Sequence, residues 1–128
     1  MKHNPVERRL KNYSLLAPEI GCLEKEVQTA KEMLETLNNF KITLEDDVRA
    51  KVDERLRKLN EQIEHLKTEK ALIESVIEEL EDPAVRRIFE LKHYSLMVWS
   101  DIATKVGYSE RQCRRLYKDT IEKIVFEK

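Results

Sequence analysis

The chain of 128 residues has little glycine, proline or cysteine, with counts of two, three and two. So few glycines and prolines leave little material for tight turns, which excludes a loop-rich fold. Aromatic residues make up only 6% of the sequence, and alternating runs of β-branched residues are missing, so we expect almost no sheet. Charged residues reach 38%, a share typical of long solvated helices. The composition predicts an all-α protein.

No segment approaches the roughly 20 apolar residues that span a bilayer. The N-terminal segment lacks the apolar stretch of a secretion signal, so we expect a cytoplasmic protein without membrane partners. Cys22 and Cys113 are far apart on helix-like faces, which predicts reduced core thiols. His3, His65 and His93 lack the paired spacing of a zinc site, so we expect no metal or other cofactor.

Catalytic patterns are missing as well. The sequence has no glycine-rich phosphate loop and no Ser/His/Asp or Cys/His arrangement at a telling spacing. Its many Glu and Lys residues at helical spacing are typical of solvated faces with i to i+4 pairs. We therefore predict a protein that is not an enzyme and has no small-molecule substrate.

Charge is distributed unevenly along the chain, although its net value is only -1. Residues 83–128 hold 10 basic and 6 acidic residues, a net of +4, and residues 1–82 hold 14 and 19, a net of -5. A basic C-terminal third on an acidic remainder fits a DNA-binding module with an assembly element.

Two long stretches carry apolar residues at spacings of three and four, which predicts two helices packed along a coiled-coil-like seam. The first helix is expected to start at Pro18, after a short helix that Asn4 caps, and to end near Asn39. Its seam contains Leu16, Ile20, Leu23, Val27, Ala30, Leu34 and Leu37.

The second long helix is expected to follow a cap at Thr43 and to run from Leu44 to Glu81. Lys70 interrupts its seam, where a charge either fixes the register or reaches out to solvent. The apolar residues of this seam are Val52, Leu56, Leu59, Ile63, Leu66, Ile73, Ile77 and Leu80.

The predicted lengths of these two helices differ. They contain 22 and 38 residues, or about 33 and 57 Å at about 1.5 Å per residue. Folded back as an antiparallel hairpin, the shorter helix would leave the seam bare near residues 73–80, and bare apolar stripes mark association surfaces. We predict a homo-oligomer formed through Leu56, Leu59, Ile63, Leu66, Ile73, Ile77 and Leu80. In the alternative, the N-terminal segment with Leu10 and Tyr13, or the C-terminal domain, covers this seam.

A second domain is predicted to begin after the hairpin, which divides the chain into residues 1–81 and 82–128. Asp82 is a suitable N-cap and Pro83 suits the first helical position. The helix that follows is expected to direct Val85, Ile88, Phe89 and Leu91 inward.

Residues 98–124 have the pattern of a helix-turn-helix. Trp99 opens the first helix, Ala103 is the small residue at the crossing, and Gly107 is the turn glycine. Ser109 is expected to cap the second helix, in which Cys113 and Leu116 are among the inward residues. The aromatic residues Trp99, Tyr108 and Tyr117 are expected in the core. The alternative is a small three-helix domain with no nucleic-acid role.

In a helix-turn-helix, the second helix enters the major groove with its N-terminal end. Arginine pairs with guanine and glutamine with adenine through two parallel hydrogen bonds, while glutamate accepts from cytosine. The predicted base contacts are Arg111, Gln112 and Arg115, with Glu110 nearby. The predicted backbone contacts are Ser109, Arg114 and Lys118 from this helix, with Ser100 and Lys105 from the preceding one.

The sequence also resembles two kinds of known regulator. The run Asp101, Ile102, Ala103, Gly107 and Ser109 resembles region 4 of sigma-70-type factors. The whole layout resembles phage late-operon regulators of the ArpU and RinA type, through residues 12–16, residues 20–26 and the tail from residue 82 to 124. That resemblance implies sequence-specific DNA binding that activates phage or prophage late genes. No part of the chain resembles the sigma region that melts promoters, so it should not act as a complete sigma factor.

Two other functions remain open from the sequence. Small terminase subunits also join a helix-turn-helix to an oligomerising helical part, so DNA packaging is one alternative. A coiled-coil adaptor that binds RNA polymerase or another protein is the other. Salt sensitivity separates DNA binding from an apolar protein interface, because phosphate contacts weaken steeply with salt.

Overall fold

The computed structural model describes residues 4–126 of the chain. This range contains five α helices and no strand, which confirms the all-α prediction. The helices are α1 (Pro5–Asn39), α2 (Asp46–Glu78), α3 (Pro83–His93), α4 (Trp99–Val106) and α5 (Glu110–Lys123). His3, considered above as a metal ligand, lies outside the described residues.

Two compact units make up the described chain. The first unit consists of the residues up to Leu15 together with those from Lys70 onward, and the second of Leu16–Glu69. The unit that holds α3, α4 and α5 therefore also takes in the N-terminal residues of α1. The predicted domains of residues 1–81 and 82–128 stay a prediction.

Helix α1 begins as predicted, because the Asn4 side chain accepts hydrogen bonds from the N–H groups of Val6 and Glu7 at 2.8 and 3.3 Å. The expected restart at Pro18 is wrong, since Pro18 lies inside the continuous helix α1. A proline inside a helix costs about 3 kcal/mol. Leu16 and Ile20 on either side are both 7% exposed, and burial of each contributes about 1.5–3 kcal/mol. Packing therefore outweighs the lost hydrogen bond.

The second unit is an antiparallel pair of helices. Its core consists of Ile20, Val27, Leu59 and Ile63, with Leu23, Leu56 and Leu66 packed against it. Ion pairs at 3.3 Å join Glu24 to Lys67 and Glu26 to Arg55 across the seam. The predicted seams of both helices are thus confirmed in this unit.

Helix α2 starts at Asp46, two residues after the predicted start at Leu44, and ends at Glu78 rather than Glu81. Because α1 also continues through Pro18, α1 and α2 have nearly equal lengths of 35 and 33 residues. These correspond to about 52 and 50 Å at about 1.5 Å per residue. The predicted difference in helix length is therefore wrong.

The seam predicted to be bare is covered within the chain. Ile73 and Ile77 have no exposed surface, and Leu80 is half-buried. The N-terminal residues of α1 lie in the same unit, where Leu10 is fully buried. Tyr13 donates a hydrogen bond to the Glu74 carboxylate, which also accepts one from Lys70 at 2.8 Å. The seam is therefore covered within the unit that the N-terminal segment shares with the C-terminal helices, as in the alternative, and Lys70 sits in an ion pair.

The core of the first unit is built on α3. The carboxylate of Asp82 accepts hydrogen bonds from the N–H groups of Ala84 and Val85, so the predicted cap of α3 is confirmed. The residues of α3 that were predicted to point inward are all at most 6% exposed: Val85, Ile88, Phe89 and Leu91.

Two predictions of burial are wrong. Cys22 is exposed, since it lies off the apolar seam of α1, whereas Cys113 is buried as predicted. Tyr108 is 37% exposed, because it follows the turn glycine and lies between the two helices of the motif. Tyr117 is buried, at 4% exposed.

Candidate nucleic-acid interface

Helices α4 and α5 form the predicted helix-turn-helix, joined by a turn of residues 107–109. Gly107 ends α4 in the left-handed conformation with φ of +81°, and its N–H donates to the Ala103 carbonyl at 2.9 Å. The Ser109 hydroxyl accepts from the N–H of Gln112 at 3.1 Å and so caps α5. A glycine and a hydroxyl cap therefore fix both helix ends at the turn.

The inner face of the motif packs on α3. Ile102 and Cys113 have no exposed surface, and Leu116 is half-buried. The Tyr117 ring lies 4.8 Å from that of Phe89 and 5.2 Å from that of Trp99, measured between centroids. This aromatic packing orients α5, so its remaining faces point to solvent.

All the residues predicted to contact DNA are exposed. They are Ser100, Lys105, Ser109, Glu110, Arg111, Gln112, Arg114, Arg115 and Lys118. Their exposure is required for a nucleic-acid interface, and their roles as DNA contacts stay a prediction.

Three basic residues of α5 form one row along its outer face, since Arg111, Arg115 and Lys118 are spaced at i, i+4 and i+7. Within residues 4–126 no ion pair involves Arg111 or Arg115. The acidic residues Asp119 and Glu122 follow in the C-terminal half of the helix. The positive charge of the outer face is therefore concentrated toward the N-terminal half of α5.

Arg114 has a different environment from its neighbours. Its guanidinium lies 5.5 Å from the centre of the Trp99 ring and forms an ion pair with Glu110 at 3.5 Å. Lys92 of α3 lies over the same ring at 5.0 Å. Trp99 therefore has two cations close to it.

Sequence reasoning missed Lys92 and its neighbour Lys11. Burial lowers the pKa of Lys92, and the nearby charges of Lys11 and Arg114 lower it further. Glu7 acts in the opposite direction as the smallest of these influences. These residues belong to α1, α3 and α5, so no local pattern in the sequence indicates that they meet.

His93 adds no positive charge to this surface near neutral pH. Burial, followed by the charges of Lys92 and Lys11, lowers its pKa from 6.5 to about 4. Its Nε2 atom shares a hydrogen bond with the hydroxyl of Tyr117. The imidazole is therefore a neutral part of the core.

The residues predicted for oligomerisation lie along the inner side of α2, except Leu80, which follows the end of that helix. Leu59, Ile63, Ile73 and Ile77 are buried within the single chain. Leu56, Leu66 and Leu80 are half-buried. The buried members therefore already have intramolecular partners.

Neither a metal cluster nor a membrane span is found in the part of the chain that the structure describes. No group of three or more His, Cys, Asp or Glu residues there is placed to hold a metal ion. None of the helices there combines the length and the apolar character needed to cross a membrane.

The comparison with known families places the chain in a described family. A family model described as a protein of unknown function, DUF722, matches residues 3–125. No curated protein and no solved structure matches the chain.

Proposed function

The chain belongs to the DUF722 family of proteins of unknown function. We propose from its geometry that it is a sequence-specific, DNA-binding regulator of transcription. The observation that carries this proposal is the outer face of α5. There Arg111, Gln112 and Arg115 are exposed on the second helix of a helix-turn-helix. In such motifs this helix occupies the major groove of double-stranded DNA.

The side chains of α5 suit direct readout of bases. Arg111 and Arg115 each offer a fork of donors that matches guanine, and Gln112 matches adenine. Glu110 is exposed at the first position of the helix, where it could accept from cytosine. Ser100, Lys105, Ser109, Arg114 and Lys118 are assigned to the phosphate backbone, which positions the helix without reading sequence.

The setting of this function follows from the resemblance to late-operon regulators. We propose that the protein acts in the cytoplasm on phage or prophage late genes, with RNA polymerase as a partner, and without catalytic activity. A role in DNA packaging would use the same helix-turn-helix, so the location of the bound sequence distinguishes the two. A site upstream of a late gene supports regulation, and a site at the packaging origin contradicts it.

Self-association is a second part of the proposal. The second unit exposes several large apolar side chains where α1 ends and α2 begins, and such groups favour contact with another protein. Phe40, Ile42 and Val48 are 73%, 54% and 40% exposed, respectively. Light scattering during size-exclusion chromatography tests this part, since a monomeric mass at all concentrations would contradict a homo-oligomer.

DNA binding is tested by fluorescence anisotropy with labelled duplexes across a salt series, after selection from a random duplex library. We expect the wild type to prefer one sequence and to lose affinity steeply with salt. The double variant Arg111→Ala/Arg115→Ala should lose most of this preference. The matched control Arg49→Ala/Arg55→Ala removes the same charge from the second unit and should bind like the wild type. No binding to any duplex at low salt would refute the proposal and favour an adaptor that binds protein.

A further inference from the structure

Beside the recognition helix, two cations from two helices lie over one aromatic ring, and a third cation acts on one of them by its charge. Lys92 Nζ and Arg114 Cζ lie 5.0 and 5.5 Å from the centroid of Trp99. Lys11 of α1 is close enough to lower the pKa of Lys92 by its charge. We call Lys11, Lys92, Trp99 and Arg114 the Trp99 cluster.

The charges of the Trp99 cluster are not balanced. Lys11 forms an ion pair with Glu7 at 3.7 Å, and Arg114 forms one with Glu110 at 3.5 Å. Lys92 has no ion pair within residues 4–126. Burial is the largest cause that lowers the pKa of Lys92, and the charges of Lys11 and Arg114 lower it further, with the carboxylate of Glu7 as a smaller opposing influence. An anion placed beside Lys92 would relieve both costs.

We propose that the Trp99 cluster binds a phosphodiester group of duplex DNA, next to the groove that α5 enters. The inference rests on the proposed function, because it adds a backbone contact to the same interface. Arg114 ties the cluster to the base-reading face, since it lies between Arg111 and Arg115 along α5. Lys11 and Lys92 extend the contact to α1 and α3, outside the helix-turn-helix.

A phosphate contact has a defined signature. Loss of a phosphate contact weakens binding by the same factor on every sequence. It also lowers the magnitude of the slope of log affinity against log salt by about 1. We expect this result for Lys11→Gln/Lys92→Gln. The matched control Lys25→Gln/Lys31→Gln removes two exposed charges from the second unit and should keep the wild-type slope.

The role of charge is separated from that of packing by two further variants. Lys11→Arg/Lys92→Arg keeps both charges and should keep the slope. Lys92→Met keeps an unbranched apolar side chain over Trp99 and removes the charge, so it should lower the slope even if the glutamine pair fails to fold. Thermal melting followed by circular dichroism shows which variants are folded.

Trp99 provides an independent readout because it is the sole tryptophan of the chain. Its emission should change when duplex DNA binds to the wild type, and should change much less in Lys11→Gln/Lys92→Gln at matched saturation. An unchanged emission in the wild type would contradict a phosphate held beside the ring.

The outcomes distinguish this inference from the proposed function. If Arg111→Ala/Arg115→Ala loses sequence preference while folded Lys11→Gln/Lys92→Gln and Lys92→Met keep the wild-type slope, the inference is wrong and the proposed function stands. If the wild type binds no duplex, both are wrong.

Discussion

The Nε2 atom of His93 lies 2.9 Å from the hydroxyl oxygen of Tyr117, and this hydrogen bond joins α3 to α5 in the core of the first unit. Both side chains are at most 4% exposed. Burial is the leading reason that the pKa of His93 falls to about 4 and that the pKa of Tyr117 rises above its ordinary value. The pair is therefore held in its neutral form, which makes the stability of the first unit depend on pH.

Acid should destabilise the protein through His93. Its pKa is about 4 in the folded chain and 6.5 when unperturbed, so between these values the unfolded chain binds more protons. The contribution of His93 is complete above pH 6.5 and is lost as the pH falls toward 4, by about 2 kcal/mol at pH 5. Urea unfolding at pH 7 and pH 5 should show this loss. The loss of stability between pH 7 and pH 5 should be smaller in His93→Gln than in the wild type, and unchanged in the exposed control His65→Gln. Equal losses in all three proteins would refute the role of His93.

Leu10 should contribute as much to the stability of the first unit as the buried residues of α3 do. It has no exposed surface, whereas Leu15 on the same helix is 62% exposed. Leu10→Ala should lower the free energy of unfolding by about 3 kcal/mol, because it leaves a cavity. Leu15→Ala should change it by less than about 0.5 kcal/mol. Urea denaturation compares the two, and similar effects would mean that the N-terminal residues do not complete the core.

The two glycines of the chain should respond to alanine with opposite signs. Gly107 has a φ of +81°, and a Cβ there would meet no atom within 4 Å, so alanine adds only backbone strain. We expect Gly107→Ala to cost about 1 kcal/mol of stability. Gly21 lies inside α1 with open space around it, so Gly21→Ala should stabilise by about 0.5–1 kcal/mol. Thermal melting of both variants measures the signs, and a loss at Gly21 would contradict a regular helix there.

Replacement of Pro18 should stabilise the protein. Inside α1 the proline ring removes a helical hydrogen bond at a cost of about 3 kcal/mol, partly offset by a stiffer unfolded chain. Pro18→Ala should therefore raise the free energy of unfolding by about 2 kcal/mol. Pro5→Ala is the matched control at the first position of α1, where proline is tolerated, and should be nearly neutral. A neutral Pro18→Ala would instead indicate that a helix begins at that residue.

Local chemistry allowed much of this fold to be predicted. The caps at Asn4, Asp82 and Ser109 and the left-handed Gly107 depend on neighbours within three or four residues. The seams of α1 and α2 follow from periodicity, which reports burial directly. The same periodicity indicates which residues of α4 and α5 face solvent, and all nine predicted contacts are exposed.

The remaining features depend on contacts between distant residues. Pro18 is a helix-start signal by itself, and only the packing of Leu16 and Ile20 keeps α1 continuous through it. The hydrogen bond between Tyr13 and Glu74 likewise joins residues 61 positions apart in the chain. For the candidate site, Lys92 of α3 reaches the Trp99 ring of α4 only through the packing of these two helices, and the charge of Lys11 acts on Lys92 from α1.

The first unit combines residues from both ends of the sequence, so the order of synthesis on the ribosome decides when it can fold. Leu10 is made early, but its unit also includes residues from Lys70 onward. The segment of residues 16–69 has partners of its own and can pair as soon as it leaves the exit tunnel. The unit that holds the helix-turn-helix must wait until α5 has been translated. A chain that lacks α5, or whose α5 is still inside the exit tunnel, would therefore lack the candidate interface.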